Sequence, residues 1–198
     1  MNRQHYSGGA PVIGDAPALD LVNTLHTPRG VERDGVSSAA DLNDWIAAVQ
    51  PDLGLAGQMA HVSEADVARF HDLRRTIRSL VGSVSRGETP ASTDVDRVNE
   101  VSRLAASWPE LRITAEAVER TSAWDAPGAD IVLASLAHDA VDLLTGDRAA
   151  TLRTCEAHNC SLFFLKDHPR REWCSPACGA RVRSARAYAR RTAESASA

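Results

Sequence analysis

Apolar residues recur at helical spacing along most of the chain. Val67, Phe70, Leu73, Ile77, Leu80, Val81 and Val84 follow Ser63 at steps of three and four. That is one face of a long amphipathic helix, with Ser63 as its N-cap and Gly87 and Pro90 beyond its end. Leu42, Trp45, Ile46 and Val49 mark a second helix, capped by Asp41 and stopped by Pro51. Asp15-Ala-Pro-Ala ahead of Leu19, Val22 and Leu25 or His26 predicts a short helix that ends at Thr27-Pro28-Arg29-Gly30. Thr93–Ala106 turns Val95, Val98, Val101 and Ala105 to one side. Ala129–Thr145 is apolar nearly all round, the pattern of a buried central helix, with Gly146 as its stop and Asp147 capping one more short helix. The period changes to two at Leu111–Ala115, and Val118–Trp124 is its hairpin partner. The expected fold is mostly α: a helical amino-terminal domain over 1–150 with one β-hairpin, and Trp45 and Trp124 in its core.

Composition narrows the class. Hydrophobic residues make up 43 % of 198, enough for a core and too many for a disordered chain. No apolar stretch approaches the ~20 residues of a membrane span, and Met1–Pro11 lacks the apolar run of a secretory signal. The expectation is a soluble, cytoplasmic protein with no membrane partner. There, four cysteines favour metal ligation over disulfides.

All four cysteines lie near the carboxyl end: Cys155-x4-Cys160, thirteen intervening residues, then Cys174-x3-Cys178. Two close pairs can bring four thiolates to one tetrahedral centre, the sulfur-rich closed site that Zn²⁺ prefers in a structural role. Two disulfides or four unligated thiols are the alternatives. Ser161-Leu-Phe-Phe-Leu reads as a strand, Asp167-His-Pro as a turn and Arg171-Glu-Trp-Cys as the returning strand. Ser175 and Pro176 then start a helix with Cys178 in its first turn. A knuckle, a hairpin and a helix whose start supplies two ligands make a treble-clef-like zinc finger over 151–192. Leu162, Phe163, Phe164, Leu165, Trp173 and Val182 are too small a core to fold alone, so metal binding must supply much of the folding free energy. Loss of a cysteine is expected to unfold this module and leave the helical domain folded. The small polar tail over 193–198 is expected to be disordered.

Charge separates the same two parts. Residues 1–150 carry a formal −9 and residues 151–198 a formal +5. In the last helix, Val182, Ala185 and Ala189 fall on one face, and Arg183, Arg186 and Arg190 on another, with Arg181 and Arg191 nearby. Arg170 and Arg171 add charge from the hairpin. Guanidinium groups suit phosphates and guanine edges, so Arg170, Arg171, Arg181, Arg183, Arg186 and Arg190 are candidate DNA contacts. Arg181, nearest the helix start, is the candidate for a base edge. A solvated basic face is the plainer alternative.

At these residues the chain resembles a known family. Cys155-x4-Cys160-x2-Phe-Phe, Arg-Arg-Glu-Trp-Cys-Ser-x2-Cys and Cys178-Gly179-Ala180-Arg181 are similar to the CGNR zinc finger, with Ala180 where the family signature has Asn. Leu19-Asp-Leu-Val-Asn-Thr24 and Asp41-Leu-x2-Trp45 resemble the ABATE domain that accompanies this finger. The resemblance implies a stress-induced bacterial transcription regulator whose finger binds double-stranded DNA.

The acidic body offers less chemistry. Asn23, Thr24, His26 and Arg29 end the first helix, and Arg74 and Arg78 lie four apart on the long one. Asn23, His26 and Arg74 could line a pocket for a small anionic ligand, with capping and salt bridging as the alternative. His138 beside Asp139 and Asp142 is a satisfied polar spot rather than an acid/base site. No phosphate loop, dinucleotide loop or nucleophile elbow occurs, so no enzyme is expected. A regulator whose body senses a ligand or forms a homodimer is the first reading. A zinc module for protein or RNA contacts is the second.

Overall fold

The computed structural model describes residues 5–55 and 61–196. Strands β1 (His5–Ser7) and β2 (Ala10–Val12) form a short antiparallel ribbon. Helix α1 (Pro17–Asn23) follows, then a second ribbon of β3 (Leu25–His26) and β4 (Arg33–Asp34). Helices α2 (Ala39–Val49), α3 (Glu64–Ser85) and α4 (Ser92–Ser102) lead to a hairpin of β5 (Ser107–Ile113) and β6 (Val118–Trp124). Helix α5 (Ala129–Thr145) and a 3-10 turn at Asp147–Thr151 come next. The last part contains β7 (Leu152–Thr154), β8 (Phe163–Leu165) and α6 (Pro176–Ala196). The protein is mostly α, and the predicted hairpin and central helix are in place. The tail expected to be disordered instead continues α6 through Ala196; residues 197–198 lie outside the described residues.

The β1–β2 ribbon was not foreseen, although its signal is local. Gly8 and Gly9 have φ of 57° and 89°, the positive values that a two-residue hairpin turn asks of both central positions. The cap of α2 also differs from expectation. Ser38 is the N-cap, accepting from the Asp41 amide at 3.2 Å, and Asp41 sits in the first turn. A carboxylate is favoured at both places by the positive helix start, so sequence alone does not separate them. At α3 the predicted Ser63 cap is present and is completed by Asp66, whose carboxylate accepts from the Ser63 amide at 3.0 Å.

The core lies where α1, α3 and α5 meet, with α4 against α3 and α5, and α2 against α3. Trp45, Phe70, Leu133 and Leu136 are fully buried there. Trp124 is only partly buried and stacks on the His138 ring, with centroids 5.9 Å apart. His138 Nε2 lies 3.0 Å from the Ser102 carbonyl oxygen. Helix α1 has no capping side chain of its own, since Ala16 holds the cap position. Its start is capped from α5: the Ala18 amide donates to Asp139 Oδ2 at 2.7 Å.

The β5–β6 hairpin stands away from this core. Every residue of β5 is exposed, Leu111 at 80 % and Ile113 at 84 %. The Ala106–Asp125 and Thr114–Ala117 bonds at its two ends fix which pairs exchange ladder bonds. Pro109, opposite Ser122, falls between them and faces the free edge, where its missing N–H denies a neighbouring strand one donor.

Asp20 is the most deeply buried acid, 1 % exposed. It accepts from the Ile13 amide at 2.7 Å and the Gly14 amide at 3.0 Å, tying the end of the first ribbon to α1. Burial pushes its carboxyl up to about 7, against the lowering effect of those two bonds. The folded chain therefore holds a proton that the unfolded chain releases near the ordinary Asp value of 3.8. Asp20's contribution is full below that value and is lost as pH rises toward about 7. Urea unfolding of Asp20→Asn beside the parent, from pH 4 to 8, should show a smaller decline by about one proton over this window. Parallel curves would show that Asp20 is ionised in the folded protein.

Candidate metal centre and the helix beyond it

The cysteines reach one point from two local structures. The first is the turn between β7 and β8. Its strands pair Leu152 with Leu165, Arg153 with Phe164 and Thr154 with Phe163. The Cys155 amide extends the ladder to the Leu162 carbonyl at 2.8 Å, and the Cys160 amide closes a turn onto Ala157 at 2.9 Å. Asn159 sits in this turn at φ 58°, a left-handed conformation that Asn tolerates better than most side chains. The sequence reading paired 161–165 with 171–174. The structure corrects this: β8 pairs with β7, and 171–174 forms no strand. The knuckle is thus enclosed by the hairpin rather than followed by it.

The second structure is the start of α6. Ser175 Oγ accepts from the Cys178 amide at 3.3 Å, and Pro176 occupies the first turn, as predicted. Cys174 is fully buried and Cys178 nearly so. Gly179, the Gly of the Cys-Gly-Ala-Arg run, is a packing requirement. A Cβ there would meet Trp173 Cδ1 at 3.0 Å and Arg183 Nη1 at 3.1 Å. Ile13, Ala157, Leu162, Phe164, Trp173 and Val182 pack around the thiols.

The four Sγ atoms lie within 4.8 Å of one another. Cys160–Cys174 is 3.7 Å, Cys174–Cys178 3.5 Å and Cys178–Cys160 3.8 Å. A regular tetrahedron with Zn–S bonds of about 2.3 Å has edges of about 3.8 Å. These separations are far longer than an S–S bond of about 2.05 Å, and all four cysteines are free. The donor set is therefore that of a closed, structural site for one zinc ion, leaving no position open for a substrate. His158 and His168 are outside the cluster. Hydrogen bonds from its three neighbours hold the Cys178 thiol far below the ordinary range, and the bond with Cys160 lowers Cys155 to about 7. Cys160 and Cys174 are pushed up, chiefly by the ionised neighbours they hydrogen-bond. A divalent cation replaces those shared protons.

The predicted DNA-contacting arginines divide into two groups. Arg181, the candidate base-edge contact, is exposed, and its Nη2 donates to the metal ligand Cys178 Sγ at 3.1 Å. Arg171 alone is turned inward. Its guanidinium donates to Asp15 Oδ1 at 2.9 Å and covers the Phe164 ring at 5.1 Å. Arg170, Arg183, Arg186 and Arg190 are exposed. Beyond Val182, α6 leaves the body, and Ala185 and Ala189, expected to pack inward, are exposed. Arg153 and Lys166, outside the candidate contacts, line a cavity of about 290 Å³ together with Trp173, Arg186, Glu156 and Glu172. No local pattern marks them, because strand pairing brings them together.

The three candidate ligand residues do not converge. Both amide atoms of Asn23 are bonded to Phe163. Arg74 is clamped by Asp34, with two bonds of 2.6 Å, and by Thr24 Oγ1 at 2.9 Å. These bonds hold the Asp34 carboxyl below its ordinary value despite burial. His26 alone borders open space, a cavity of about 350 Å³ shared with Tyr6, Cys160 and Arg181. The side chain of Arg29 is outside the described set.

The finger is not separate from the body. Leu152, Phe163 and Leu165 belong to the main core, and Phe164 belongs to the metal cluster. The expectation that the body survives loss of a cysteine unharmed therefore gives way to a shared core. Metal analysis should find one zinc per chain. Cys174→Ser should fall below half an equivalent and should lower the melting temperature of the whole chain rather than remove a separate transition. Full zinc content in that variant would show that the cluster is not the site.

Residues 15–147 match the family model of the ABATE domain, described as "Putative stress-induced transcription regulator". Residues 151–191 match that of the CGNR zinc finger. No curated protein matches the chain. The first match covers well over half of the 198 residues, and the second covers the four-cysteine centre. The chain belongs to the ABATE family and carries a CGNR zinc finger.

Proposed function

We propose that this protein is a bacterial transcription regulator that binds double-stranded DNA through α6, held at its base by zinc, and that it acts in the cytoplasm and is not an enzyme. The observation that carries this is the exposed basic helix leaving the body next to the metal. Arg183, Arg186 and Arg190 recur on one stripe of a helix whose outer turns are solvent-exposed. Near its base Arg153 and Lys166 share one cavity with Arg186, Glu156 and Glu172, and Arg170 shares another with Arg183. The body, at −9, repels phosphate, so its role is to position or pair the helices rather than to add to the contact.

The joint variant Arg183→Ala, Arg186→Ala and Arg190→Ala should keep its zinc and lose duplex binding. Where binding is measurable, the slope of log K against log salt should fall by about one unit for each Arg that contacts phosphate. Unchanged affinity would remove α6 as the DNA surface.

We propose a homodimer as the working form. A single helix reads a short stretch of duplex, and two copies reading two half-sites add their affinities. The supporting surface is the β5–β6 hairpin, whose exposed Leu111, Ile113 and Val118 form an apolar patch of the kind that marks an association site. Sedimentation equilibrium of the full chain should give a dimer, and Leu111→Asp with Ile113→Asp should give a monomer. A parent chain that stays monomeric at high concentration would exclude it, and the hairpin would then be a surface for a different protein.

A further inference from the structure

The segment Leu19–Thr24 is buried, and its polar side chains all bind the chain's own groups. Asp20 accepts from two backbone amides, and Thr24 donates to the Leu21 carbonyl at 2.7 Å while receiving Arg74. Asn23 differs, because it reaches across 140 residues. Its Nδ2 donates to the Phe163 carbonyl at 2.9 Å, and its Oδ1 accepts from the Phe163 amide at 2.9 Å. The side chain thus occupies the place of a neighbouring strand on the outer edge of β8. All of this is buried: Asn23 is 0 % exposed and Phe163 6 %.

A second tie lies two residues nearer the metal. Arg78 Nη2 donates to the Ser161 carbonyl at 3.2 Å, beside Cys160. Its other nitrogen meets the Val22 and Leu25 carbonyls at 3.3 and 3.4 Å, at the end of α1, and its guanidinium covers the Phe163 ring at 5.3 Å. Between Cys160 and β8, residue 161 is held by Arg78, residue 162 by the Cys155 amide and residue 163 by Asn23. The segment has no slack between the ligand and the end of α1.

We propose that Asn23 is a positioning residue for the metal centre. It fixes β8 so that Cys160 enters the thiolate tetrahedron, and through the same two bonds metal occupancy orders α1. Coupling between two sites is reciprocal, so a residue that tightens zinc must also transmit zinc's presence to the body. The Leu19–Thr24 segment is then the joint through which the helical domain registers whether the finger is loaded. This rests on the four cysteines holding zinc and not on DNA binding.

The test uses the full-length chain without DNA, so its outcome is independent of the proposed function. Zinc affinity is measured by competition with a chromophoric chelator. Asn23→Ala should weaken it about 10- to 100-fold, the range seen when a residue that orients metal ligands is lost. The control is Leu42→Ala, a cavity in α2, which packs chiefly on α3 and the β1–β2 ribbon. It should lower the melting temperature while keeping zinc affinity within about twofold of the parent, since its cavity lies away from the metal ligands. Hydrogen exchange gives the reciprocal reading. Zinc should slow amide exchange over residues 19–24 at least tenfold in the parent, and Asn23→Ala should erase that difference. Should Asn23→Ala fail to fold, Arg78→Lys, which loses the tie to Ser161, must weaken zinc at least fivefold. Parent-like zinc affinity in the folded variant, an equal loss in the Leu42 control, or exchange over 19–24 that ignores zinc overturns the proposal.

Discussion

Four thiolates repel one another, and only a cation or shared protons at their centre lets the two cysteine pairs close. Everything at the carboxyl end follows from meeting that demand with too few apolar residues. The module around the thiols is small, with six apolar side chains besides the cysteines. A core of that size does not offset the entropy of ordering its chain. The structure meets the shortfall by lending the finger a wall of the larger domain. All three residues of β8 are buried, and they alternate: Phe163 and Leu165 enter the main core, and Phe164 the metal cluster. One strand thus has a hydrophobic reason to lie where it does on each of its faces, and Asn23 closes the edge that β7 leaves open.

Electrostatics supports the same joint without carrying it. Arg171 and Asp15 meet with side chains 13 % and 10 % exposed, and Asp15 also accepts from the Leu165 amide at 2.8 Å. A pair this buried loses much of its attraction to desolvation, so its value is in geometry more than in net stability. It fixes where the segment before Cys174 lies against the amino-terminal ribbon. Arg74 with Asp34 performs the same service for β4. Arg74 and Asp34 both belong to the acidic body, so among the described residues the opposite formal charges of the two parts meet at the joint through Arg171 and Asp15, while Arg170, Arg183, Arg186 and Arg190 are exposed.

Much of this was legible in the sequence wherever the signal is local. The 3.6-residue period located α3 and α5, the Ser-Pro pair located the start of α6, and the cysteine spacing identified the metal ligands. Pairings were not legible. The run Leu162–Leu165 announces burial on both faces but not which strand lies beside it, since periodicity carries no partner information. Arginine roles were also hidden. A guanidinium sits at the end of a long flexible stem, and its position is decided by groups far away in sequence. Arg171 looked like Arg170, yet a carboxylate at residue 15 and an aromatic ring took one inward and left the other outside. The Asn in the first helix gave no sign that its partner lay 140 residues on.

The exposed helix depends on the metal as well, for a reason separate from packing. An isolated helix of twelve to fifteen residues is marginal in water because its first turn costs more order than its hydrogen bonds return. The outer turns of α6 have no core to lean on. Their first turn, however, is already set. Ser175 caps it, Pro176 has its φ fixed, and Cys178 and Arg181 are fastened to the thiolate cluster. The unfavourable step of nucleation is thus taken at the metal, and elongation outward adds one bond per residue. Ligation of Cys174 and Cys178 thereby supplies the nucleus from which the basic segment continues as a helix.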